Sequence, residues 1–362
     1  MSEQLWRKNL INITPYVAGE QPKSDDIIKL NANENAYPPS PRVRQILDSY
    51  KPEDMRRYPS ADAGPLREAL AKRAGLDIDN VFVSNGSDDV LATAFRAFFN
   101  SDAPIVYPDI TYSFYPVWCD LLKIPSRTVP VGEDFHIDAK SLYGEGNGGV
   151  VFANPNAPTS LAESREFVRD VLEHNRDCIV IVDQTYVDFA DDGIDCLDLI
   201  KEYDNLLITH TFSKSRSMAG MRIGEAYGNA ELIKYMMAVK DSYNSYPVNR
   251  LSIETGVASV QDEEYFQSTL KKVISTREKV SGQLRELGFD VPDSQTNFLF
   301  VTHPKYKAKD IFEFLREKGI YIRYFNKPRI DDRLRITIGT DDEMAKMIGR
   351  IKDLISSKEE NA

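Results

Sequence analysis

Short apolar runs alternate with helical patterns along the chain as far as residue 247. A run without polar alternation predicts a strand covered on both faces, as in a parallel sheet. Segments with apolar residues at helical spacing separate several of these runs, as at residues 164–174. The alternation predicts an α/β fold, with a mostly parallel sheet and helices on both faces. Residues 81–91 are expected to begin as a strand and to continue into a turn and a helix. Further strands are expected at residues 103–107, 149–153, 178–182, 206–211 and 222–227.

The pattern changes after residue 247. A long amphipathic stretch covers about residues 248–287, and shorter strand and helix patterns follow it. These patterns predict a smaller α+β domain, with strands at residues 297–301, 320–324 and 334–338 and helices at residues 308–318 and 341–356. The start of the chain carries turn signals and little periodicity. We therefore expect an N-terminal arm, a large domain and a small C-terminal domain, at residues 1–44, 45–247 and 248–362.

Composition limits the classes of partner. The chain has 45 basic and 56 acidic residues, a formal charge of −11, without a basic cluster. Neither nucleic acid nor an anionic membrane is therefore expected as a partner. The three cysteines are scattered, which indicates neither a disulfide framework nor a zinc site. Because the N-terminus lacks the plan of a signal peptide and no apolar run approaches the ~20 residues of a spanning helix, we expect a soluble protein of the cytoplasm.

Polar residues suited to cofactor chemistry follow two of the predicted strands. Asp183 ends one apolar run, and Lys214 follows the next. Because the carboxyl ends of parallel strands meet at one edge of a sheet, we expect these side chains to lie close together. Pyridoxal phosphate requires a lysine amine that binds its aldehyde covalently and a carboxylate opposite its ring nitrogen. The sequence therefore predicts a pyridoxal phosphate site with Lys214 and Asp183 in those roles.

A phosphate group would find donors at another strand end. Residues 85–88 lie where a predicted strand turns into a helix, and backbone N–H groups at a helix N-terminus bind phosphate. Ser87 and Asp88 are the candidates there, although such residues also serve as ordinary helix caps. Ser213 and Arg222, on either side of the lysine turn, add a hydroxyl and a cation. The glycine-rich motifs of dinucleotide and nucleoside triphosphate sites do not occur in the sequence.

Two tyrosines complete the predicted cofactor site. We expect Tyr112 to lay its ring on the face of the cofactor and Tyr186 to donate its hydroxyl to the cofactor's phenolic oxygen. Asp183 would keep the ring nitrogen protonated, because a nearby opposite charge raises the pKa of a base. Lys214, once released by the incoming amine, is placed to move the substrate's α-proton as a general base. Catalysis is therefore assigned to Lys214, Asp183 and Tyr186.

Together these motifs resemble the aspartate-aminotransferase type of pyridoxal phosphate enzyme, and most closely the histidinol-phosphate aminotransferase family. The resemblance covers nearly the whole chain. Each motif alone is weak, whereas their order and spacing are highly specific. The matching stretches are TPY at 14–16, KLNANEN at 29–35, RYP at 57–59, NGSD at 85–88, NPNAPT at 154–159, DQTY at 183–186, the run from Ser213 to Arg222, and LRITIG at 334–339.

The resemblance implies a function and further site residues. The family has the type I fold of pyridoxal phosphate-dependent transferases and moves an amino group between L-histidinol phosphate and 2-oxoglutarate, in histidine biosynthesis. A homodimer is implied, with contacts from the N-terminal arm and with Tyr58 reaching the cofactor phosphate of the partner subunit. Arg335 would bind the anionic group of the substrate. Tyr16 and Arg323 are implied as additional contacts.

One position departs from the family pattern. The family carries a second asparagine that bonds the cofactor's phenolic oxygen, and this chain has Ala157 there. Either Asn156 turns in to replace that donor or Tyr186 carries the role alone. Threonine-phosphate decarboxylases and aromatic aminotransferases of broad specificity share the scaffold and stay open as alternatives. A cofactor-sensing DNA-binding regulator is disfavoured, because the N-terminal arm has no room for a helix-turn-helix module.

Overall fold

The computed structural model describes residues 10–11, 13–17, 19–22 and 26–360. Within these residues the strands are β1 (Ile28–Lys29), β2 (Val81–Ser84), β3 (Ile105–Pro108), β4 (Ser126–Val129), β5 (Gly149–Ala153), β6 (Val180–Asp183), β7 (Leu206–Thr211), β8 (Gly224–Gly228), β9 (Phe298–Thr302), β10 (Ile320–Tyr321), β11 (Arg323–Tyr324) and β12 (Arg333–Thr337). The helices are α1 (Pro41–Ser49), α2 (Gly64–Ala74), α3 (Ser87–Phe98), α4 (Tyr115–Leu122), α5 (Arg165–Glu173), α6 (Ala230–Tyr243), α7 (Arg250–Val260), α8 (Glu263–Glu286), α9 (Ala308–Glu317) and α10 (Asp341–Glu359).

A seven-stranded sheet forms the centre of the larger part of the molecule, in the order β2-β8-β7-β6-β5-β3-β4. Neighbours from β7 to β4 are parallel, and β8 runs antiparallel to both β2 and β7. Strands β5, β6 and β7 are buried along their whole length, which explains their unbroken apolar runs. The predicted α/β fold with a mostly parallel sheet is confirmed.

Helices cover both faces of this sheet. On β6, Val180 and Val182 join an apolar cluster formed with α2, α5 and α7. Ile181, between them, joins the opposite cluster, formed with α3, α4 and α6. Each buried strand contributes to both clusters because successive side chains of a strand point to opposite faces. The carboxyl ends of β6 and β7 lie together at one edge of the sheet, where ligands bind in folds of this kind.

A second sheet forms the centre of the smaller part. It is antiparallel, in the order β11-β12-β9, and Arg323 lies opposite Arg335 on neighbouring strands. Helices α8, α9 and α10 contribute the apolar residues that cover it. Strand β1 pairs in parallel with β10, so the N-terminal region is attached to this part. The predicted smaller α+β unit is confirmed, whereas the domain boundaries at residues 44 and 247 stay predictions.

The structure divides the amphipathic stretch at residues 248–287 into two helices, α7 and α8. Gln261 and Asp262 lie between them, and contacts from the N-terminal region hold both residues. Arg42 Nη1 donates to the Gln261 carbonyl at 3.2 Å. Ser40 donates to the Asp262 carboxylate. The break therefore depends on residues far away in the chain, which the local pattern of apolar positions does not contain.

The remaining differences concern short strands. Residues 320–324, expected as one strand, form β10 and β11, which pair in different sheets. The edge strand β4 was not predicted, because its residues are exposed except for Val129. The two-residue strand β1 was also missed. Among the helices that the structure describes, none combines the length and apolar character needed to cross a membrane.

Candidate active site

A cavity of about 190 Å³ lies at the carboxyl ends of β6 and β7, beside the N-terminus of α3. Most residues predicted for the cofactor line it: Ser87, Asp88, Tyr112, Asp183, Tyr186, Ser213, Lys214 and Arg222. Its other lining residues are Ala32, Glu34, Ala153, Ala157, Thr185, Thr211 and Ala219. A larger open groove of about 920 Å³ beside α2 contains none of the predicted site residues. The chemistry predicted from the sequence therefore converges on the smaller cavity.

Lys214 lies on the turn that follows β7. Thr211, the last residue of the strand, accepts from the Ser213 backbone N–H at 3.1 Å and so shapes the turn. The Lys214 Nζ donates to the Ala32 carbonyl at 3.2 Å. Burial, and then the positive charge of Arg335, lower the pKa of Lys214 to about 8. Near neutral pH this amine is therefore unprotonated far more often than that of an exposed lysine, and it can act as nucleophile or base.

Asp183 ends β6 as a buried carboxylate. Thr185 donates twice to Asp183 Oδ1, from its hydroxyl at 2.7 Å and from its backbone N–H at 3.2 Å. Tyr115 donates to Oδ2 at 3.4 Å. Burial raises the pKa of Asp183, and the bonds from Thr185 and Tyr115 oppose that rise. A carboxylate held in this way favours a cation placed opposite it, as the predicted role requires.

Beside the start of α3, Gly86 leaves room for the Arg222 guanidinium, and Gly224 leaves room for the backbone of Gly86. Gly86 has a φ of +83°, and a Cβ there would lie 2.6 Å from Arg222 Nη2. A Cβ at Gly224 would lie 2.3 Å from the Gly86 carbonyl carbon. Neither position therefore accepts a side chain unless its surroundings move. The helix N-terminus at Ser87 and the Arg222 cation meet in the space that the glycines leave, and this combination suits a phosphate.

Asp88 connects two of the predicted cofactor contacts. It accepts from the Tyr112 hydroxyl at 2.7 Å and from Arg222 Nη2 at 3.4 Å. Burial, and then the Asp88 charge, raise the pKa of Tyr112 well above its ordinary value, so the phenol keeps its proton. Edge contacts with Tyr115 and Trp118, at 5.7 and 6.2 Å between ring centroids, also fix the Tyr112 ring. The ring is thus held rigidly at the cavity wall, as stacking on a cofactor requires.

The Tyr186 hydroxyl has a partner that the sequence did not indicate. Asn33 Nδ2 donates to it at 2.8 Å, and Asn33 Oδ1 accepts from the Thr337 hydroxyl at 3.1 Å, which fixes the amide. The Tyr186 ring packs edge-on against Phe298, 5.1 Å between centroids. Burial raises the pKa of Tyr186, so the hydroxyl keeps its proton. Because the oxygen already accepts from Asn33, that proton is available for donation into the cavity.

Residues 31–35 join the smaller part of the molecule to the lysine turn. Arg335 Nη2, on β12, donates to the Asn31 carbonyl at 2.9 Å. Asn35 Nδ2 donates to the Lys214 carbonyl at 3.1 Å. The carbonyl that binds the Lys214 amine also belongs to this segment. Both the backbone and the amine of the lysine are therefore held by the same stretch that contacts Arg335.

Arg335 and Arg323 are cross-strand partners, and the Arg323 guanidinium lies over the ring of Phe325, 5.5 Å from its centroid. The Arg335 guanidinium lies over the rings of Phe298 and Phe325, at 5.3 and 5.6 Å from their centroids. Burial lowers the pKa of Arg335. An anion bound between two neighbouring guanidinium groups offsets their repulsion and stabilises the charge of the buried one. The pair therefore has the chemistry of the anion site that the resemblance implies.

Asn156 does not enter the cavity. Its Nδ2 donates to the Ile110 carbonyl at 2.9 Å and to Thr159 Oγ1 at 3.0 Å. Its Oδ1 accepts from the Thr111 hydroxyl at 2.8 Å. The amide is therefore committed to its own turn, and Ala157 faces the cavity without a donor. These contacts give no support to the alternative in which Asn156 replaces the missing asparagine, and a donor role for Tyr186 alone stays the prediction.

Tyr58 and Tyr16 lie outside the cavity lining. Tyr58 is 80% exposed and stacks on Tyr246, with 4.6 Å between ring centroids. Tyr16 stacks on Phe114 at 4.4 Å. A single copy of the chain thus leaves Tyr58 on the surface, so the role predicted for it depends on a second copy.

The sequence of this chain is similar to sequences of known aminotransferases. The chain matches the family described as aminotransferase class I and II over residues 25–351. Histidinol-phosphate aminotransferase from Lactococcus lactis subsp. cremoris (strain SK11) is 48% identical over 356 residues, which cover 98% of this chain and 99% of the relative. The enzyme of that name from Acinetobacter baumannii (strain SDF) is 47% identical over 352 residues, which cover 96% and 97%.

The fold of this chain is also similar to that of a solved structure. Histidinol-phosphate aminotransferase from Sinorhizobium meliloti, in complex with pyridoxal-5'-phosphate, has a TM-score of 0.82 to this chain at 23% identity, over 91% of each chain. At that identity the likeness shows a common fold. The relatives that are nearly half identical over almost the full length show the family. The chain therefore belongs to the class I and II aminotransferases and, among them, to the histidinol-phosphate aminotransferase family.

Proposed function

We propose that this chain is a pyridoxal 5'-phosphate-dependent histidinol-phosphate aminotransferase. It transfers the amino group of L-histidinol phosphate to 2-oxoglutarate and yields imidazole acetol phosphate and L-glutamate, in histidine biosynthesis. The observation that carries the proposal is the convergence of the Lys214 amine, the Asp183 carboxylate and the Arg222 guanidinium in one cavity. The names of the relatives at 47% and 48% identity support the choice of substrate.

The residues of the cavity fit pyridoxal phosphate. Ser87, Ser213 and Arg222 offer a phosphate two hydroxyls and a cation at the N-terminus of α3. Asp183 would pair with the ring nitrogen, and Lys214 would bind the aldehyde carbon. When bound, the cofactor supplies an electron-withdrawing ring that stabilises negative charge at the substrate's α-carbon.

Lys214 carries the proton transfer in this proposal. Because burial and Arg335 lower its pKa to about 8, the amine accepts the proton from the substrate's α-carbon near neutral pH. Asn33 orients the Tyr186 hydroxyl, which would donate to the cofactor's phenolic oxygen. Tyr112 would stack on the face of the cofactor's ring, and Asp88 holds both Tyr112 and Arg222 in place.

Arg335 and Arg323 bind the substrate's phosphate. A phosphate monoester carries about −1.5 to −2 charges at neutral pH, which matches two neighbouring guanidinium groups. The carboxylate of 2-oxoglutarate uses the same place in the other half-reaction. Tyr16, which is 39% exposed, adds a hydroxyl to this end of the site. The phosphate and the carboxylate therefore occupy one anion site in turn.

The active unit is a homodimer, and Tyr58 completes the phosphate site of the partner subunit. The exposed stack of Tyr58 on Tyr246 supports an interface, because aromatic residues are enriched in protein interfaces. Closed twofold symmetry is also the commonest assembly.

The cytoplasm is the proposed compartment. The cysteines of the chain, Cys119, Cys178 and Cys196, are free, which agrees with a reducing environment.

Single-turnover reactions of the purified holoenzyme test this function. The absorbance of the bound cofactor is followed after addition of L-histidinol phosphate, L-histidinol, L-phenylalanine or L-threonine phosphate. We expect L-histidinol phosphate to react about tenfold to a hundredfold more efficiently than L-histidinol, because each charge-assisted hydrogen bond contributes roughly 1.5–3 kcal/mol. Equal efficiency with phenylalanine would replace the proposal by an aromatic aminotransferase of broad specificity. Release of CO₂ from threonine phosphate would replace it by a decarboxylase.

A further inference from the structure

A charged cluster lies on the face of β7 opposite the cavity. Thr211 lines the cavity, and its neighbour His210 points to the other face because side chains alternate along a strand. His210 is 9% exposed, with Nε2 at 3.1 Å from Asp188 Oδ2 and Nδ1 at 3.2 Å from Glu225 Oε1. His210 and Glu225 are cross-strand partners on β7 and β8. The proposed function uses none of the three residues of this cluster.

The cluster holds a protonated imidazole. Burial alone would lower the pKa of His210, but the carboxylates of Asp188 and Glu225 raise it to about 10. At neutral pH the ring is therefore a cation in which both nitrogens carry protons. The other charged or titratable groups around the cluster are Arg73, Arg216, Tyr227 and Glu263. The charge of the ring is constant at pH values near neutral, so the cluster holds its carboxylates in the same way throughout that range.

Asp188 connects this cluster to the lysine turn. Ser215, which directly follows Lys214, donates its hydroxyl to Asp188 Oδ2 at 2.6 Å. Asp188 itself lies two residues after Tyr186 in the chain. The contacts from His210 through Asp188 to Ser215 therefore tie together the two segments that present Tyr186 and Lys214 to the cavity.

We propose that His210 is a positioning residue for Lys214. Its charge, balanced by Glu225, holds the Asp188 carboxylate where that carboxylate accepts from Ser215. This hydrogen bond sets the turn on which the Lys214 amine enters the cavity. The inference rests on the proposed function, because it assigns a purpose to the placement of that amine.

The energetics of the cluster argue for a role in the site. Burying a histidine and two carboxylates costs desolvation energy, and apolar residues of similar volume are often as stabilising. Among the residues that the structure describes, His210 Nε2, Glu225 Oε2 and Arg216 Nη2 are buried without a hydrogen-bond partner, so His210 Nε2 holds Asp188 as an ion pair at 3.1 Å. The His210 charge does act on the cavity, since it opposes the burial that raises the pKa of Asp183. Stability alone therefore does not explain the cluster, and its charge acts on a residue of the site.

The test measures the Lys214 amine in protein from which bound cofactor has been removed. Acetylation of Lys214 by acetic anhydride, followed by peptide mass spectrometry at increasing pH, gives the pKa of the amine because only its neutral form reacts. We expect His210→Gln to raise that pKa by about one unit or more, toward the ordinary 10.5, since a looser turn lets water reach the amine. Ser215→Ala should raise it by less. His210→Arg should restore the wild-type titration, because a guanidinium keeps the charge and reaches two carboxylates.

His303→Gln is the matched control. His303 is equally 9% exposed, and its Nε2 lies 3.1 Å from the Leu287 carbonyl in the smaller part of the molecule. Both His→Gln variants should lower the melting temperature, and only His210→Gln should move the pKa of Lys214. If both variants leave that pKa unchanged, His210 has a structural role alone and the proposal is overturned.

Ser215→Ala decides the question if His210→Gln does not fold. An unchanged Lys214 titration in Ser215→Ala overturns the proposal, and a raised pKa supports it. No substrate or cofactor enters these measurements. A failure of the proposed function shows separately, as a wild-type protein that does not bind pyridoxal phosphate or does not react with L-histidinol phosphate.

Discussion

Replacing Asn33 with aspartate reverses one hydrogen bond in the site. Asn33 Nδ2 donates to the Tyr186 hydroxyl at 2.8 Å. The two side chains have nearly the same shape, and both residue types tolerate the left-handed backbone that Asn33 adopts at a φ of 55°. An ionised carboxylate only accepts hydrogen bonds. In Asn33→Asp the Tyr186 hydroxyl would therefore donate to the new carboxylate and no longer into the cavity.

The size of this effect follows from the kind of bond. A hydrogen bond to a charged group contributes roughly 1.5–3 kcal/mol, which biases the Tyr186 proton away from the cavity by about tenfold to a hundredfold. The added negative charge also favours the protonated amine of Lys214, so we expect the pKa of Lys214 to rise above about 8. Both changes should lower kcat/KM near neutral pH by about tenfold to a hundredfold.

A pH titration of the absorbance of the bound cofactor reports the protonation of the Lys214 nitrogen while it is bonded to the cofactor, which the added negative charge also favours, and kcat/KM is measured at each pH. We expect the midpoint of Asn33→Asp to lie at higher pH than that of the wild type. Asn175→Asp is the matched control, because Asn175 is also buried and donates to the Leu142 and Val171 carbonyls, outside the cavity. A midpoint that stays in place in Asn33→Asp, or moves equally in the control, would refute the reasoning.

Other predictions address the lysine, the dimer and the anion site. Lys214→Ala should keep some cofactor through its phosphate contacts but lose turnover, and borohydride reduction with peptide mapping should label Lys214 in the wild type and no other lysine. Mixing inactive Tyr58→Phe and Lys214→Ala subunits should restore part of the activity, whereas full activity in a stable monomer would contradict a shared site. Arg335→Ala should impair both half-reactions, and Arg323→Ala should raise KM for L-histidinol phosphate more than for 2-oxoglutarate.

Much of the fold could be predicted because its signal is local. Strands β5, β6 and β7 are buried throughout, so each appears in the sequence as an unbroken apolar run. Asp183 and Lys214 could be placed together because both follow such runs. The break between α7 and α8 has no local signal, since the Arg42 contact that holds it spans 219 positions. Tertiary contacts of that separation leave no trace in the periodicity of one segment.

The same limit applies to the candidate site. The KLNANEN stretch at residues 29–35 marked the region as important, but its contact between Asn33 and Tyr186 joins positions 153 residues apart. The side chain of Asn156 is held outside the cavity by contacts that the sequence did not indicate. Its hydrogen-bond partner Thr111 lies 45 residues earlier, and the sequence pattern does not show that the amide is already used. Residues at strand ends were therefore easier to find than the partners that orient them.

Arg335 couples binding of the substrate's anionic group to the basicity of Lys214. Its charge contributes to the low pKa of Lys214, and it donates to the Asn31 carbonyl, one residue before the Ala32 carbonyl that binds the lysine amine. An anion at Arg335 offsets part of this charge, so we expect the pKa of Lys214 to rise when the substrate's phosphate is in place. The free site then keeps the amine neutral and reactive, and in the occupied site the amine that has accepted the α-proton holds it more firmly.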